Sequence, residues 1–519
     1  MTDPLRPGLG RRSFLGLTGA GAASLALPSL ETPAWASPRF PSDPFSLGVA
    51  SGDPLPDGVV LWTRIAPNPL AEDGLGGVAQ PHQQIPVRWE MSRDESFGAR
   101  SIVRRGVASA TPDLGHSVHV EVDGLDPHRE YWYRFRVGND ESPVGRTRTA
   151  PAVGARPSSM AFAFASCQNY PAGFYTAHAH LAEEDLDLVV FLGDYIYNGP
   201  GQGTIGRGYL PAREVETLPD YRIRLGQVKS DADLQAAHAA FPWVVTFDDH
   251  EVANNWASDD VDPDVPVEEF LARRANAFQA YYEHMPVRQA QRPVGPDMRI
   301  HRRLTFGDLL DLYVLDTRQY RSDQVRQDQR ADPTRTMLGD DQEGWLRQAV
   351  AGPTARWNVL AQQVFFSQRD FTAGPDQRFN DDAWDNYLVA RNRLRDHLAA
   401  VGTSNPVVLT GDVHMNYVCD IKADFDDPSS RTVVTELVGT SISSQGDAAP
   451  NPVGDQRQMH ENPHIKFVNR DRGYVRNIVT PTEWTTDFRA VDYVSRPGAP
   501  IRTLASFVIA NGQPGAVPA

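Results

Sequence analysis

The sequence predicts an antiparallel β-sandwich followed by an α/β (α+β) region in which mixed sheets are covered by helices. Two changes of pattern predict it. From Phe45 to about Thr149, short β-rich runs are divided by turn residues and show no helical period. After a stretch containing Pro, Gly and Ser at residues 149–159, buried-strand runs alternate with amphipathic helical stretches. The length of 519 residues exceeds one ordinary core and supports two parts.

The elements follow in chain order. Residues 10–16 read Gly-Arg-Arg-Ser-Phe-Leu-Gly, then comes an Ala/Gly-rich run from Leu17 to Leu30 and the small-residue site Ala34-Trp35-Ala36. Residues 1–36 therefore resemble a twin-arginine signal peptide. This implies the twin-arginine export machinery as a partner and a folded protein delivered outside the cytoplasmic membrane, whether secreted, periplasmic or held in the cell envelope. No other apolar stretch approaches the roughly 20 residues of a spanning helix, so no transmembrane segment is expected in the mature chain. The charge balance is acidic, with 66 Asp and Glu against 50 Lys and Arg and no long basic run, which argues against a nucleic-acid-binding surface.

The first β region, residues 45–150, contains the runs Val59–Ile65, Ile85–Met91, Ile102–Ala108, Ser117–Val122, Tyr131–Val137 and Val144–Thr149. The passage from His119 to Phe135 alternates on both sides of Gly124-Leu125-Asp126-Pro127. It resembles the strand passage of fibronectin type III domains in which a tyrosine pins a corner. The second part, residues 158–495, has strand runs at Met160–Ala165, Leu188–Leu192, Trp243–Phe247, Leu309–Leu315, Trp357–Ala361, Pro406–Thr410 and Val433–Val438. Its clearest helices are Glu268–Tyr282, Asp341–Val350 and Tyr387–Ala400. Residues 199–240 read as an insertion over the sheet and 496–519 as a C-terminal tail.

Four motifs each follow a strand run, where open α/β sheets place their ligands. They are Ser166-Cys167-Gln168, Gly193-Asp194-Tyr195-Ile196-Tyr197-Asn198, Asp248-Asp249-His250-Glu251 continuing to Asn254-Asn255-Trp256, and Gly411-Asp412-Val413-His414. Each has a structural alternative: Gly-Asp can be a turn whose carboxylate caps an amide, a Cys can be a small buried hydrophobe, and a His can be a satisfied core residue. One shared site explains all four at once. A thiolate, a phenolate, an imidazole and carboxylates suit a transition metal, while further Asp and Asn oxygens suit a harder cation such as calcium. Only two cysteines exist, Cys167 and Cys419, leaving a disulfide as the alternative to a ligating Cys167.

These motifs are similar to the metallophosphoesterase arrangement and, more closely, to the PhoD-type alkaline phosphatases, a family that includes calcium-dependent phospholipase D enzymes. The resemblance extends to Gly48-Val-Ala-Ser-Gly-Asp53-Pro, Leu61-Trp-Thr-Arg64, Leu315-Asp-Thr-Arg318-Gln-Tyr320-Arg321 and Leu437-Val-Gly-Thr440-Ser-Ile-Ser-Ser444. It implies a metallophosphoesterase-like catalytic domain and a centre of one Fe3+ with two Ca2+. Cys167, Asp194, Tyr197 and His414 would hold the iron, with Asp194 bridging to calcium. Asp249, Asp412 and one of the two asparagines, taken as Asn255, would complete the calcium ligands. His250 would stabilise phosphoryl oxygens or protonate the leaving group, unless it only hydrogen-bonds behind the metals. Arg318 and Arg321 are candidate phosphate contacts, because a guanidinium fork matches phosphate. With 47 Arg and three Lys in the chain, most arginines are also expected to be surface charge. The implied activity is hydrolysis of phosphate esters by an alkaline phosphatase, with a phosphodiesterase or phospholipase D on the same site, and a non-catalytic surface-binding protein, as alternatives.

Overall fold

The computed structural model describes residues 39–262, 264–352 and 355–519. The twin-arginine segment read over residues 1–36 lies outside them. Among the described residues no helix is long and apolar enough to cross a membrane.

Two large sheets carry the structure. The first has ten strands in the order Val517–Pro518, Ile501–Ala510, Glu483–Val491, Arg472–Val479, Met160–Ala165, Leu188–Phe191, Pro242–Val245, Val49–Leu55, Gly58–Arg64 and Ser117–Asp123. Its middle strands run parallel, with Leu188–Phe191 between the other two. The second has seven strands, in the order Arg302–Phe306, Leu310–Val314, Trp357–Ala361, Pro406–Thr410, Thr432–Val438, Asn416–Lys422 and Ile465–Asn469, with a parallel centre.

The apolar runs are continuous because both faces of these strands are covered. Val189, Phe191, Trp243 and Val245 meet Leu181, Leu234 and Phe278 of the outer helices. On the opposite face, Phe162, Phe164, Val190 and Val244 meet Leu312, Val359, Leu409 and Leu437 of the second sheet. Tyr313, Leu360 and Val408 on the far side are covered by Leu346, Leu394 and Leu398, from helices Gly339–Ala351 and Leu388–Val401. The layers therefore run helix, sheet, sheet, helix, as expected for mixed sheets covered by helices.

Three features differ from the sequence reading, and one alternative it left open is closed. The N-terminal β region does not stand apart: Gly58–Arg64 and Ser117–Asp123 extend the ten-stranded sheet through Val49–Leu55, whose Ser51 and Gly52 pair with Pro242 and Trp243. That joining strand reads Val-Ala-Ser-Gly-Asp-Pro-Leu and has no β-branched alternation to mark it. A third sheet, built on Ile85–Ser92, Ile102–Ala110 and Glu130–Val137, packs against it through Val87, Met91 and Phe135 facing Val59 and Leu61. At its corner the Tyr131 hydroxyl accepts the Asp126 N–H at 2.9 Å.

Residues 199–240 are not an insertion throughout. Helices Leu218–Lys229 and Ala232–Ala240 are part of the crossover between the parallel strands Leu188–Phe191 and Pro242–Val245. Residues 496–519, read as a tail, contain the strand Ile501–Ala510, which places Phe507 and Ile509 in the core between the sheets. Finally, Cys167 and Cys419 are both free, buried thiols, so the disulfide alternative is not realised.

The tail correction has a measurable side. Phe507 is 5% exposed and packs on Phe467 at 5.5 Å between ring centres. Phe507→Ala is expected to lower stability by about 3 kcal/mol. Val517→Ala, 57% exposed in the wild type, should change it by less than about 0.5 kcal/mol; urea denaturation of both variants checks the contrast.

Candidate metal centre

The ends of strands Met160–Ala165, Leu188–Phe191 and Pro242–Val245 from one sheet and Pro406–Thr410 from the other converge. The two glycines of the Gly-Asp motifs allow the approach. A Cβ on Gly193 would lie 2.4 Å from Asp248 Cβ, at a φ of +113° that L side chains rarely adopt, and one on Gly411 would lie 2.7 Å from Ser166 Oγ across the sheets. Immediately beyond, Cys167, Asp194, Asp412 and His414 all have left-handed φ, between 56° and 60°. Such conformations cost about 1 kcal/mol or more each and persist where surrounding bonds over-determine them. Here the Cys167 N–H donates to Gly193 O at 3.1 Å, Gln168 N–H to Asp194 O at 3.0 Å and Asp194 N–H to Glu251 Oε2 at 3.1 Å.

Three groups of donor atoms result, each lying within 4.8 Å of one another: Cys167, Asp194 and His414; Asp194, Asp249 and His250; and Asp248, Asp249 and Asp412. Asp194 and Asp249 each belong to two groups. The Tyr197 hydroxyl stands 3.0 Å from His414 Nε2 and 2.6 Å from Ser444 Oγ, which in turn donates to Cys167 O at 2.7 Å. The His414 carbonyl is held by Arg472 Nη1 at 2.7 Å.

The carboxylates need countercharge. Burial pushes Asp248 well above the usual carboxylate range, against the pull of Arg318, and lifts Asp412 to about 7 with help from Asp382. Asp249 is held low: burial works against its charge, but His250, Arg318 and the Asn255 N–H at 2.7 Å outweigh it. Burial also pushes the Cys167 thiol and the Tyr197 phenol up, with Asp194 adding to both. A bound cation would reverse these directions and deprotonate both donors. One Asp248 oxygen is buried without a hydrogen-bond partner. The donor chemistry, the excess of buried negative charge and this orphaned oxygen fit metal ions.

Arg318 is placed differently from the phosphate contact expected of it. Its side chain has no exposed surface; Nε bonds Asp248 at 2.5 Å and Nη1 bonds both Asp382 oxygens at 2.9 Å. Its Nη2 lies 3.8 Å from both Asp249 and Asp412. The fork braces carboxylates and presents no face to a substrate. Arg321 is likewise buried, on Asp382 and the carbonyls of Asn255 and Trp256. The Asn255 backbone thus tethers the loop, while its side chain is exposed and makes no hydrogen bond with the described residues.

His250 is oriented by a chain of bonds. Asn198 Nδ2 donates to Glu214 at 2.9 Å, so its Oδ1 accepts from His250 Nδ1 at 2.7 Å, and Glu214 is held by Arg273 at 2.7 Å. Nε2 is left as the free ring nitrogen. Sequence reasoning missed this role of Asn198 and Glu214, and it missed Asp382 altogether. Asn198 sits beside Tyr197 in a motif, which is a usable signal. Asp382 lies 64 positions from Arg318 with no local mark. Glu251 receives the N–H groups of Asp194, Tyr195 and Asp248, so the motif's third carboxylate is a loop anchor.

Comparison with known proteins places the fold in one class. The PhoD-like phosphatase family matches residues 162–488, and the PhoD-like phosphatase N-terminal domain matches residues 31–151. Alkaline phosphatase D of Bacillus subtilis (strain 168) is 50% identical over 491 residues, covering 92% of this chain and 83% of that protein. A solved structure of PhoD matches with a TM-score of 0.89 at 50% identity, covering 93% of each chain. The chain belongs to the PhoD-like phosphatase family and is a phosphoric ester hydrolase.

The closeness of Gly193 to Asp248 can be tested without substrate. Gly193→Ala should destabilise the protein by about 3 kcal/mol, from backbone strain and overpacking together. Gly199→Ala, in open space, should stay within about 1 kcal/mol. Comparing their urea midpoints decides it.

Proposed function

We propose that the chain is an exported alkaline phosphatase that hydrolyses phosphate esters at a mixed iron and calcium centre. The observation that carries this reading is the sharing of Asp194 between a soft group, Cys167 with His414, and a carboxylate group around Asp249. Cys167, Asp194, Tyr197 and His414 would hold Fe3+. Asp194, Asp249, Asp412 and Asn255 would hold two Ca2+. The cations would supply charge neutralisation at the phosphoryl oxygens and a water or hydroxide activated near neutral pH.

The protein's own residues do the rest. Arg318 keeps Asp248 and Asp382 in place, and Glu251 fixes the turn that carries Asp194. Asn198 fixes the His250 ring so that Nε2 is available to a phosphoryl oxygen or the leaving group. Export rests on the Arg11-Arg12 motif and the small-residue site ending at Ala36. The same proposal takes residues 45–150 as a fibronectin type III-like module, supported by the Tyr131 corner bond, and 158–495 as the catalytic region.

Metal analysis of protein purified without chelator is expected to find iron and calcium, and chelation should abolish activity. A visible phenolate-to-iron band should disappear in Tyr197→Phe; retention of both colour and activity would remove the iron assignment. His250→Ala is expected to lower kcat on a chromogenic monoester about 10²- to 10⁴-fold, with a much smaller change in KM. A diester or phosphatidylcholine turned over as fast as the monoester would replace the phosphatase reading with a diesterase one.

A further inference from the structure

A cavity of about 320 Å³, the size of a small organic group, borders the loop that carries Asp412 and His414. It shares the loop after strand Pro406–Thr410 with the donors. Asp412 and His414 belong to the metal-binding groups, while the intervening Val413 and the following Met415 line the cavity, packed near Phe365 and Tyr417. Phe371 and Tyr417 complete an apolar wall.

Two guanidinium groups on this cavity lack carboxylate partners among the described residues. Arg369 is 5% exposed and lies over the rings of Phe365 at 4.4 Å, Phe371 at 4.7 Å and Tyr417 at 5.5 Å. Its side chain donates only to the Tyr417 hydroxyl, at 3.2 Å, and its Nε is buried without a partner. Arg457, on helix Pro452–Glu461, is exposed and makes no hydrogen bond or ion pair with the described residues. The third arginine, Arg470, is already satisfied by Asp455 at 2.8 Å. The acidic groups are engaged as well: Asp370 accepts the N–H groups of Thr372 and Arg378 at 2.9 and 3.0 Å, and Glu461 accepts that of Gly374 at 3.3 Å. A guanidinium without a carboxylate partner is stabilised by an anion.

We propose that this cavity is the leaving-group subsite of the hydrolase, taking the alcohol portion of an ester whose flat apolar body ends in a carboxylate or a second phosphate. The apolar body lies against Met415, Phe371 and Tyr417, and the anionic end meets Arg457 at the mouth. The proposal rests on the phosphoesterase reading, which places the reacting phosphoryl group at the donors one residue away on the same loop.

The test uses the metal-loaded full chain and two matched substrates, phenyl phosphate and 4-carboxyphenyl phosphate. The wild type should show the lower KM for the carboxylated ester. Arg457→Gln should raise that KM about 5- to 10-fold. Its kcat should stay within about twofold and phenyl phosphate should be unaffected, while Arg457→Lys should retain most of the preference. Equal effects on both substrates, or none on either, overturn the subsite. A metal-loaded wild type that turns over neither ester overturns the phosphoesterase reading itself, and the subsite with it.

Discussion

Four carboxylates, Asp194, Asp248, Asp249 and Asp412, are drawn together at the meeting edges of two sheets, and the surrounding structure is organised to hold that negative charge. Two devices do this without a metal. Arg318 places one wholly buried guanidinium among Asp248, Asp249, Asp382 and Asp412. Backbone N–H groups are directed onto the carboxylates, as where His250 and Asn255 donate to Asp249 at 2.9 and 2.7 Å. Charge-assisted bonds of this type are roughly twice as strong as neutral ones. They fix the donors in position before a cation arrives, and they leave enough charge uncompensated for a cation to bind favourably.

The same logic extends outward. Arg224 is fully buried and has no carboxylate partner among the described residues; its guanidinium is bonded to the carbonyls of Tyr197, Gly199, Leu210, Pro211 and Arg213. Burial lowers its pKa to about 10. The loop after Tyr197 is therefore wound around a cation, and the loop in turn delivers Glu214 to Asn198 and hence to His250. The orientation of His250 depends on residues outside the three groups of donors.

How much of this was legible in the sequence depended on how local each signal was. The strands Met160–Ala165, Trp357–Ala361 and Pro406–Thr410 were read to the residue, because doubly covered strands leave uninterrupted apolar runs. The motifs at their ends could be recognised because all four follow strand runs, where open α/β sheets place their ligands. Arg318 was misread because a guanidinium fits a carboxylate as well as a phosphate, and only burial distinguishes them. Val49–Leu55 escaped because Ser51, Gly52, Asp53 and Pro54 leave it without a β-branched run. Asp382 had no signal, since its partners come from far along the chain.

The long-range pairing of the ten-stranded sheet governs when the centre can exist. Met160–Ala165, which leads into Cys167, lies between Leu188–Phe191 and Arg472–Val479, and Arg472 also holds the carbonyl of His414. Until a ribosome has released Arg472–Val479, the strand beside Cys167 has a bare edge and the His414 loop lacks its clasp. The donors can close only after Arg472–Val479 has been made. Assembly of the centre thus waits on a strand made about 300 residues after Cys167, and it reports that the long-range pairing of the first sheet has formed.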